Sequence, residues 1–231
     1  MKIFEDITFI VPVREGSSRL KDKIFLPMAG KTLLEWKIIQ LKKVHPEIKI
    51  LISSNSEKVK SIAQALNVDY HDRGDYLSIG HDASFSEVIT GIVKDIKTTH
   101  FAWVTVVVPL MSPNEYFEGV KLYEKKVIQE KSNDSLLSVN LLKEYFWDDV
   151  KPINYRADKN HTISQELPNI YRVTNGLYMS SKDITMESGY FLGKNPVKHI
   201  VSKLAGIDID EEEDYKISKY LYEYYKELNE S

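Results

Sequence analysis

The sequence predicts an α/β protein, a mostly parallel twisted sheet with helices on both faces. Three observations predict it. Short apolar runs alternate with segments of helical period, the rhythm of βαβ units. Phe101–Val108 is continuous and rich in β-branched residues, as a central strand buried on both faces requires. At 231 residues and 42% hydrophobic content, the chain is long enough for one α/β domain, residues 1–231, with a small insertion.

The elements follow in order. Ile7–Val13 reads as the first strand, and Leu33 to about Lys43 as a helix. Ile48–Ser53 is a second strand, followed by a helix with Val59, Ile62, Ala63 and Leu66 on one face. Ser84 and Glu87 have capping-box spacing ahead of Val88, Ile89, Ile92, Val93 and Ile96. After the central strand, Pro113 starts a helix with Tyr116, Val120, Tyr123 and Val127 in register. From about Ser135 to Tyr178 the rhythm breaks, with Trp147, Pro152, Pro168 and polar stretches. This region reads as extended and hairpin-like, a projecting subdomain. Strands are expected to return at Tyr171–Met179 and Val197–Ile209. The last helix is expected to turn Ile217, Leu221, Tyr224 and Leu228 inward.

Composition excludes several classes. A formal net charge of −3 leaves no basic footprint for nucleic acid. With no cysteine, disulfides and thiolate metal sites are out. The six histidines show neither H-x-H nor H-E-x-x-H spacing, so zinc is not expected. No run is long enough to span a bilayer, and the N-terminus lacks the basic start and apolar core of a signal peptide, so the expected location is cytoplasmic, away from membranes.

Two segments carry the chemistry. Arg14-Glu15-Gly16-Ser17-Ser18-Arg19-Leu20-Lys21-Asp22-Lys23 directly follows the first strand, at the sheet edge where α/β proteins bind ligands. Gly16 allows backbone to approach a phosphate, Ser17 and Ser18 offer hydroxyls, and Arg14, Arg19, Lys21 and Lys23 offer positive charge. The loop has neither the G-x-x-x-x-G-K-[ST] pattern nor G-x-G-x-x-G, so it is neither a P-loop nor a dinucleotide fingerprint. A solvated basic loop is the plainer alternative. Its place after a buried strand favours the phosphate cradle.

The second segment is Gly206-Ile207-Asp208-Ile209-Asp210. On a strand, Asp208 and Asp210 point to the same side, and two carboxylates plus phosphate oxygens and water make a Mg²⁺ shell. Alternatively, Asp210 caps the last helix with Glu213 in capping-box spacing. Pairing with the basic loop favours the metal, and a chain carrying both segments is expected to handle nucleotides.

These residues resemble a known family. Val11-Pro12-Val13-Arg14-Glu15-Gly16-Ser17-Ser18-Arg19-Leu20, then Lys23, then Pro27-Met28-Ala29-Gly30-Lys31, is similar to the N-terminal signature of the CMP-sialic acid synthetases, the acylneuraminate cytidylyltransferases. Further likenesses follow in the family's order: Ser53-Ser54-Asn55-Ser56; Arg73 with Asp82-Ala83-Ser84; Ser112-Pro113; Asp134-Ser135-Leu136-Leu137-Ser138-Val139; Gln165-Glu166-Leu167-Pro168 with Tyr171 and Asn175-Gly176-Leu177-Tyr178; and Ile207-Asp208-Ile209-Asp210 with Asp214. The resemblance covers nearly the whole chain. It implies a nucleotide-diphospho-sugar transferase-like α/β fold with a dimerisation subdomain at about residues 140–172, a homodimer, CTP and Mg²⁺.

By position, the resemblance implies that Arg14, Gly16, Ser17, Lys23, Arg73 and Ser84 bind nucleotide. Asp208 and Asp210 would hold the metal, and Arg14 and Lys23 would stabilise the leaving pyrophosphate. Met111, Ser112, Gln165 and Tyr178 fall at the acceptor or partner side. Two departures stand out. Ile24 replaces the asparagine after the loop lysine, and Pro109-Leu110-Met111 replaces the segment whose glutamine touches the sugar, which is expected to make the acceptor pocket more apolar. The implied activity is transfer of CMP to a sialic-acid-like nonulosonate. The alternatives are another acceptor, an octulosonate or a phosphonate, or a non-catalytic paralogue that binds nucleotide.

Overall fold

The computed structural model describes residues 2–14, 16, 20–78 and 82–229. Nine strands and six helices are found among them, in the order β1 (Ile7–Pro12), β2 (Pro27–Met28), β3 (Lys31–Thr32), α1 (Leu33–Lys42), β4 (Lys49–Ser54), α2 (Glu57–Ala65), β5 (Asp69–Asp72), α3 (Phe85–Val93), β6 (His100–Trp103), α4 (Pro113–Tyr123), β7 (Ser135–Leu142), β8 (Ile170–Ser181), α5 (Lys182–Ser188), β9 (Pro196–Ile200) and α6 (Glu212–Asn229). The main sheet runs β5-β4-β1-β6-β8-β7-β9. All its pairings are parallel except β6 with β8 and β7 with β8.

Side chains of β1 alternate between two buried faces of the sheet. Ile7, Phe9 and Val11 pack with Leu34, Ile38, Tyr116, Val120 and Tyr225 from α1, α4 and α6. Ile10 points the other way, into a smaller cluster with Ile89, Ile92 and Val93 of α3. The sheet thus carries helices on both faces, as predicted. Helix starts follow local chemistry: Thr32, Ser84 and Ser112 each close a capping box with a glutamate three residues on, and Pro113 occupies the first turn of α4.

Three expectations are corrected. The central strand is shorter than its apolar run: β6 ends at Trp103, and Val104 makes one more bond, its N–H donating to Ile10 O at 2.9 Å. Pro109 has no N–H to continue a ladder, and the chain turns toward the C-terminal segment, Val107 O accepting from Ile209 N at 2.8 Å. Likewise β9 ends at Ile200, and Ile207–Asp210 runs outside the sheet. Finally, α6 is rotated from the expected face. Ile217, Tyr224 and Leu228 are exposed, while Ser218 and Tyr225 are buried. The cause is aromatic packing, since Tyr222 and Tyr225 set their rings edge-on to Trp36 of α1 and the Tyr225 hydroxyl accepts from Gln40 Nε2 at 3.0 Å.

Of the range from about Ser135 to Tyr178 read as extended and hairpin-like, both ends belong to the main sheet, as β7 and β8, and only residues 143–169 between them are irregular. They contain an isolated antiparallel bridge between Trp147 and Pro152 and one 3₁₀ turn, Ser164–Glu166. Among the described residues, no helix is long and apolar enough to cross a membrane.

Candidate active site

Strand order reverses beside β1: the chain passes from β1 to β4 and β5 on one side, then crosses by α3 to β6 on the other. Such a switch point opens a crevice at the carboxyl ends of the strands. Here it is a cleft of about 620 Å³, reached by Pro12 and Arg14 from the end of β1, Arg73 after β5, Thr105 and Val107 after β6, Asn175 and Tyr178 from β8, and Asp208 and Asp210.

One lip is cationic. Arg73 is mostly buried and held by its own donors, Nη2 to Val13 O at 3.0 Å and Nε to Ser78 Oγ at 2.9 Å. Burial, and then repulsion from Arg14, bring its pKa down to about 10. It remains charged at neutral pH, and among the described residues no carboxylate lies within ion-pair distance of it. Two guanidiniums held close against their mutual repulsion make a ready seat for an anion. Gly16 sits at φ +79°, with nothing within 4 Å of where a Cβ would stand, so glycine is required there by backbone conformation rather than by crowding. Ser17, expected to donate to phosphate, lies outside the described residues, as do Ser18 and Arg19.

The other lip is anionic and pinned from two directions. Ile209 gives its N–H to Val107 O and accepts at its carbonyl from Lys23 Nζ at 2.5 Å, and the same ammonium lies 3.4 Å from Asp210 Oδ1. Positions 23 and 209–210 therefore meet in space. Lys23 is buried, engages this segment and is not among the residues lining the cleft, so its placement differs from that of a direct phosphate ligand.

Asp208 Oδ2 accepts from Asn175 Nδ2 at 2.9 Å, whereas Oδ1 is buried with no partner. Burial pushes the carboxyl pKa up, the Asn175 bond opposes that, and Asp210 adds to the rise. A sealed, unpartnered carboxylate oxygen beside a second carboxylate is a donor set that fits a hard divalent cation. Two carboxylates alone would leave most of such an ion's shell to waters and substrate phosphates. The carboxylate of Asp214 accepts from the main-chain N–H groups of Asp210 and Glu211, at 3.0 and 2.9 Å, and so fixes the turn into α6.

Asn175 was not singled out by sequence reasoning, yet it links three parts of the site. It accepts from the Tyr178 hydroxyl at 2.6 Å, donates to Asp208, and takes the Thr105 hydroxyl on its carbonyl at 2.7 Å. Its φ of 56° is uncommon for a residue with a Cβ, though asparagine tolerates it better than most. The only sequence signal was its place before Gly176, in the run that ends at Tyr178. Burial raises the pKa of Tyr178, so the hydroxyl stays protonated and donating.

An aromatic wall also escaped sequence reasoning. The Phe191 ring lies 4.1 Å from that of Tyr178 and 4.2 Å from that of Tyr190, tilted by 36° and 33°, with the rings of Trp103 and Phe85 at 5.8 and 5.7 Å. All five rings line the cleft.

Four expected site residues lie elsewhere. Met111 is buried in the main core, its sulfur under Gly176, 2.8 Å from where a Cβ would be, so it does not make the pocket apolar; the wall just described does. Ser112 and Ser84 direct their hydroxyls to Glu115 and Glu87 as helix caps, although the neighbours of Ser84, Ala83 and Phe85, line the cleft. Gln165 is exposed on the 3₁₀ turn of the irregular segment, away from the cleft. Ile24 is buried in the core, where it leaves no polar group toward a ligand.

A family model described as cytidylyltransferase matches residues 8–228. The chain is 22% identical over 218 residues to N-acylneuraminate cytidylyltransferase of Escherichia coli O18:K1:H7, covering 92% of this chain but only 51% of that protein, about half its length. It is 23% identical over 222 residues to CMP-N,N'-diacetyllegionaminic acid synthase of Campylobacter jejuni, covering 94% of both chains. Among solved structures, a CMP:2-keto-3-deoxy-manno-octonic acid synthetase complexed with CTP superimposes with a TM-score of 0.65 at 12% identity, covering 94% of this chain and 98% of the other. That likeness concerns the fold.

Proposed function

We propose, since the chain belongs to the cytidylyltransferase family, that it activates a 2-keto-3-deoxy sugar acid with CTP, releasing pyrophosphate and forming the CMP-sugar. The observation that carries this reading is the opposition of charge across one cleft, Arg14 and Arg73 on one lip and Asp208 and Asp210 on the other. A sialic-acid-like nonulosonate is the favoured acceptor. The E. coli relative is an N-acylneuraminate cytidylyltransferase and the C. jejuni relative a CMP-diacetyllegionaminic acid synthase, and the aromatic wall suits the C–H faces and acyl groups of such sugars.

In the reaction, a hydroxyl oxygen of the acceptor attacks the α-phosphorus of CTP. The new O–P bond forms as the bond to the bridging oxygen breaks, pyrophosphate leaves and the hydroxyl proton passes to solvent water. Arg14 and Arg73 hold the phosphate oxygens by charge-assisted bonds. Because Arg73 is already fixed by Val13 O and Ser78, little reorganisation is needed as charge develops. Gly16 lets the loop backbone approach the phosphates. Asp208 and Asp210 would hold Mg²⁺, which when bound offsets negative charge on the phosphate oxygens. Asn175, held by Tyr178 and Thr105, fixes Asp208 through Oδ2, and Asp208 and Asp210 are the carboxylates that would hold the cation. A homodimer belongs to this proposal. The segment between β7 and β8 exposes Trp147, Val150, Ile153 and Ile163, an apolar surface suited to a second copy.

The test is pyrophosphate release from CTP and Mg²⁺ with N-acetylneuraminate, N,N'-diacetyllegionaminate and 3-deoxy-manno-octulosonate in parallel. Turnover with one of the two nonulosonates, lost in Asp208→Asn and Asp210→Asn, is the expected result. CTP binding with no turnover on any acceptor would leave a nucleotide-binding paralogue, and preference for the octulosonate would move the acceptor class.

A further inference from the structure

The stretch after β6 passes beneath the cleft with little support from regular secondary structure, and three side chains of α1 hold it. Trp36 Nε1 donates to Pro109 O at 2.9 Å, Gln40 Nε2 to Pro109 O at 2.9 Å and to Met111 O at 3.2 Å, and Lys37 Nζ to Val108 O at 2.7 Å. Lys37 is the unusual member. It is fully buried, its second acceptor is the Tyr116 hydroxyl at 2.7 Å, and its ammonium lies 5.0 Å from that ring. Desolvating a lysine costs several kcal/mol, and methionine could fill the same space without that cost. A buried amine kept in a core is poor evidence of a stability device and points to position instead.

What it positions follows from the chain. Val108, whose carbonyl Lys37 holds, adjoins Val107, whose carbonyl takes the N–H of Ile209, the residue between Asp208 and Asp210. Lys23 holds the other side of Ile209. We infer that Lys37 is a positioning residue for the carboxylate pair, a strut from α1 through Val108 and Val107 to Ile209. Burial brings its pKa down to about 7, with Glu115 opposing the fall. Neutral amine and ammonium can both donate two hydrogen bonds, so the strut survives that titration.

The experiment uses Lys37→Met in the full chain, with two readouts. The first is native-state exchange of the Ile209 amide measured against the Leu51 amide in β4, and it does not depend on the transferase reading. The expected result is exchange at Ile209 accelerated about tenfold beyond any change at Leu51, a local opening of the kind native exchange resolves. The second rests on the proposed reaction. The Mg²⁺ concentration for half-maximal pyrophosphate release should rise about tenfold, the lower end for loss of an outer partner of a metal ligand, while CTP affinity without Mg²⁺ stays within about twofold. Equal acceleration at both amides, or an unmoved Mg²⁺ requirement in an active enzyme, overturns the strut. Wild-type protein that turns over no acceptor overturns the transferase reading and leaves the exchange result to decide the strut. If Lys37→Met does not fold, Tyr116→Phe decides: loss of one of two hydrogen bonds should accelerate Ile209 exchange about threefold, and no acceleration there counts against the proposal.

Discussion

Asp208→Asn should make the protein more stable and less active, and the structure sets both sizes. Oδ1 of Asp208 is sealed from solvent without a partner, and Asp210 is a like charge nearby. An unsatisfied buried polar group costs about 1–3 kcal/mol and more when charged, and asparagine keeps a polar atom at the sealed position while removing the charge and its repulsion from Asp210. The residue as a whole is partly exposed and Asn175 satisfies Oδ2, so the lower end, about 1 kcal/mol, applies. For a chain of this length that is a rise in Tm of about 2–4 °C. The sign depends on pH. Burial raises the folded pKa above the unfolded value, so the wild-type side chain adds no penalty below the unfolded pKa and an increasing one as pH rises through the folded pKa. The variant's advantage should therefore be largest above the raised folded pKa and shrink toward pH 4, near the unfolded carboxyl's value. The assay is thermal unfolding of both proteins in EDTA across that range, repeated with Mg²⁺ and CTP, where ligand linkage should favour the wild type. Pyrophosphate release should fall about 10²–10³-fold, the loss typical of one electrostatic stabiliser. A variant that melts lower than wild type at pH 7 without metal would show the Asp208 charge to be satisfied within the protein, and the argument for a cation there would fail.

Other outcomes follow from the same geometry. Arg73→Ala removes a buried guanidinium facing the cleft, and calorimetry should show CTP affinity reduced about 10- to 100-fold, the value of one or two charge-assisted bonds; an unchanged Kd would take Arg73 out of the nucleotide site. The pKa of Lys37 is depressed from 10.5 to about 7, so the unfolded chain binds more protons between those values and wild-type stability should rise with pH across that window. Urea unfolding of wild type and Lys37→Met at pH 7 and pH 9.5 checks this, parallel pH trends being the contrary result. Val150→Glu with Ile153→Glu places two charges on the exposed apolar surface between β7 and β8. Sedimentation should show a shift from dimer toward monomer, and a wild type already monomeric at micromolar concentration would rule out the dimer.

Legibility tracked the range of the interaction. The first strand, the cap of α3 and the start of α4 are decided within about four residues, by apolar runs, Ser84–Glu87 spacing and Pro113, and the sequence reading found all three. The same local reading misjudged α6, because a helix with tyrosines at 215, 220, 222, 224 and 225 offers more than one apolar face. Trp36 and Gln40, some 185 positions earlier, select the one carrying Tyr222 and Tyr225.

The charged residues that line the cleft, Arg14, Arg73, Asp208 and Asp210, stand in family-like runs of the sequence, whereas the rest of its lining depends on sheet order. Because β8 inserts antiparallel beside β6, with Tyr178 opposite Trp103, the chain brings Asn175 to Thr105 and Asp208, and Tyr178 to Phe191. No spacing within the run from Asn175 to Tyr178 encodes those neighbours. Met111 shows the converse: its position in the sequence suggested the acceptor pocket, but Gly176, which lacks a Cβ, opens a place for its sulfur in the core. Substitutions in the acceptor-side segment therefore cannot be read directly as changes of substrate. Those at 109–111 act on the packing that supports the cleft, whereas those at 190 and 191 act on its wall, and only the second group should alter the choice of acceptor without altering the melt of the central strands.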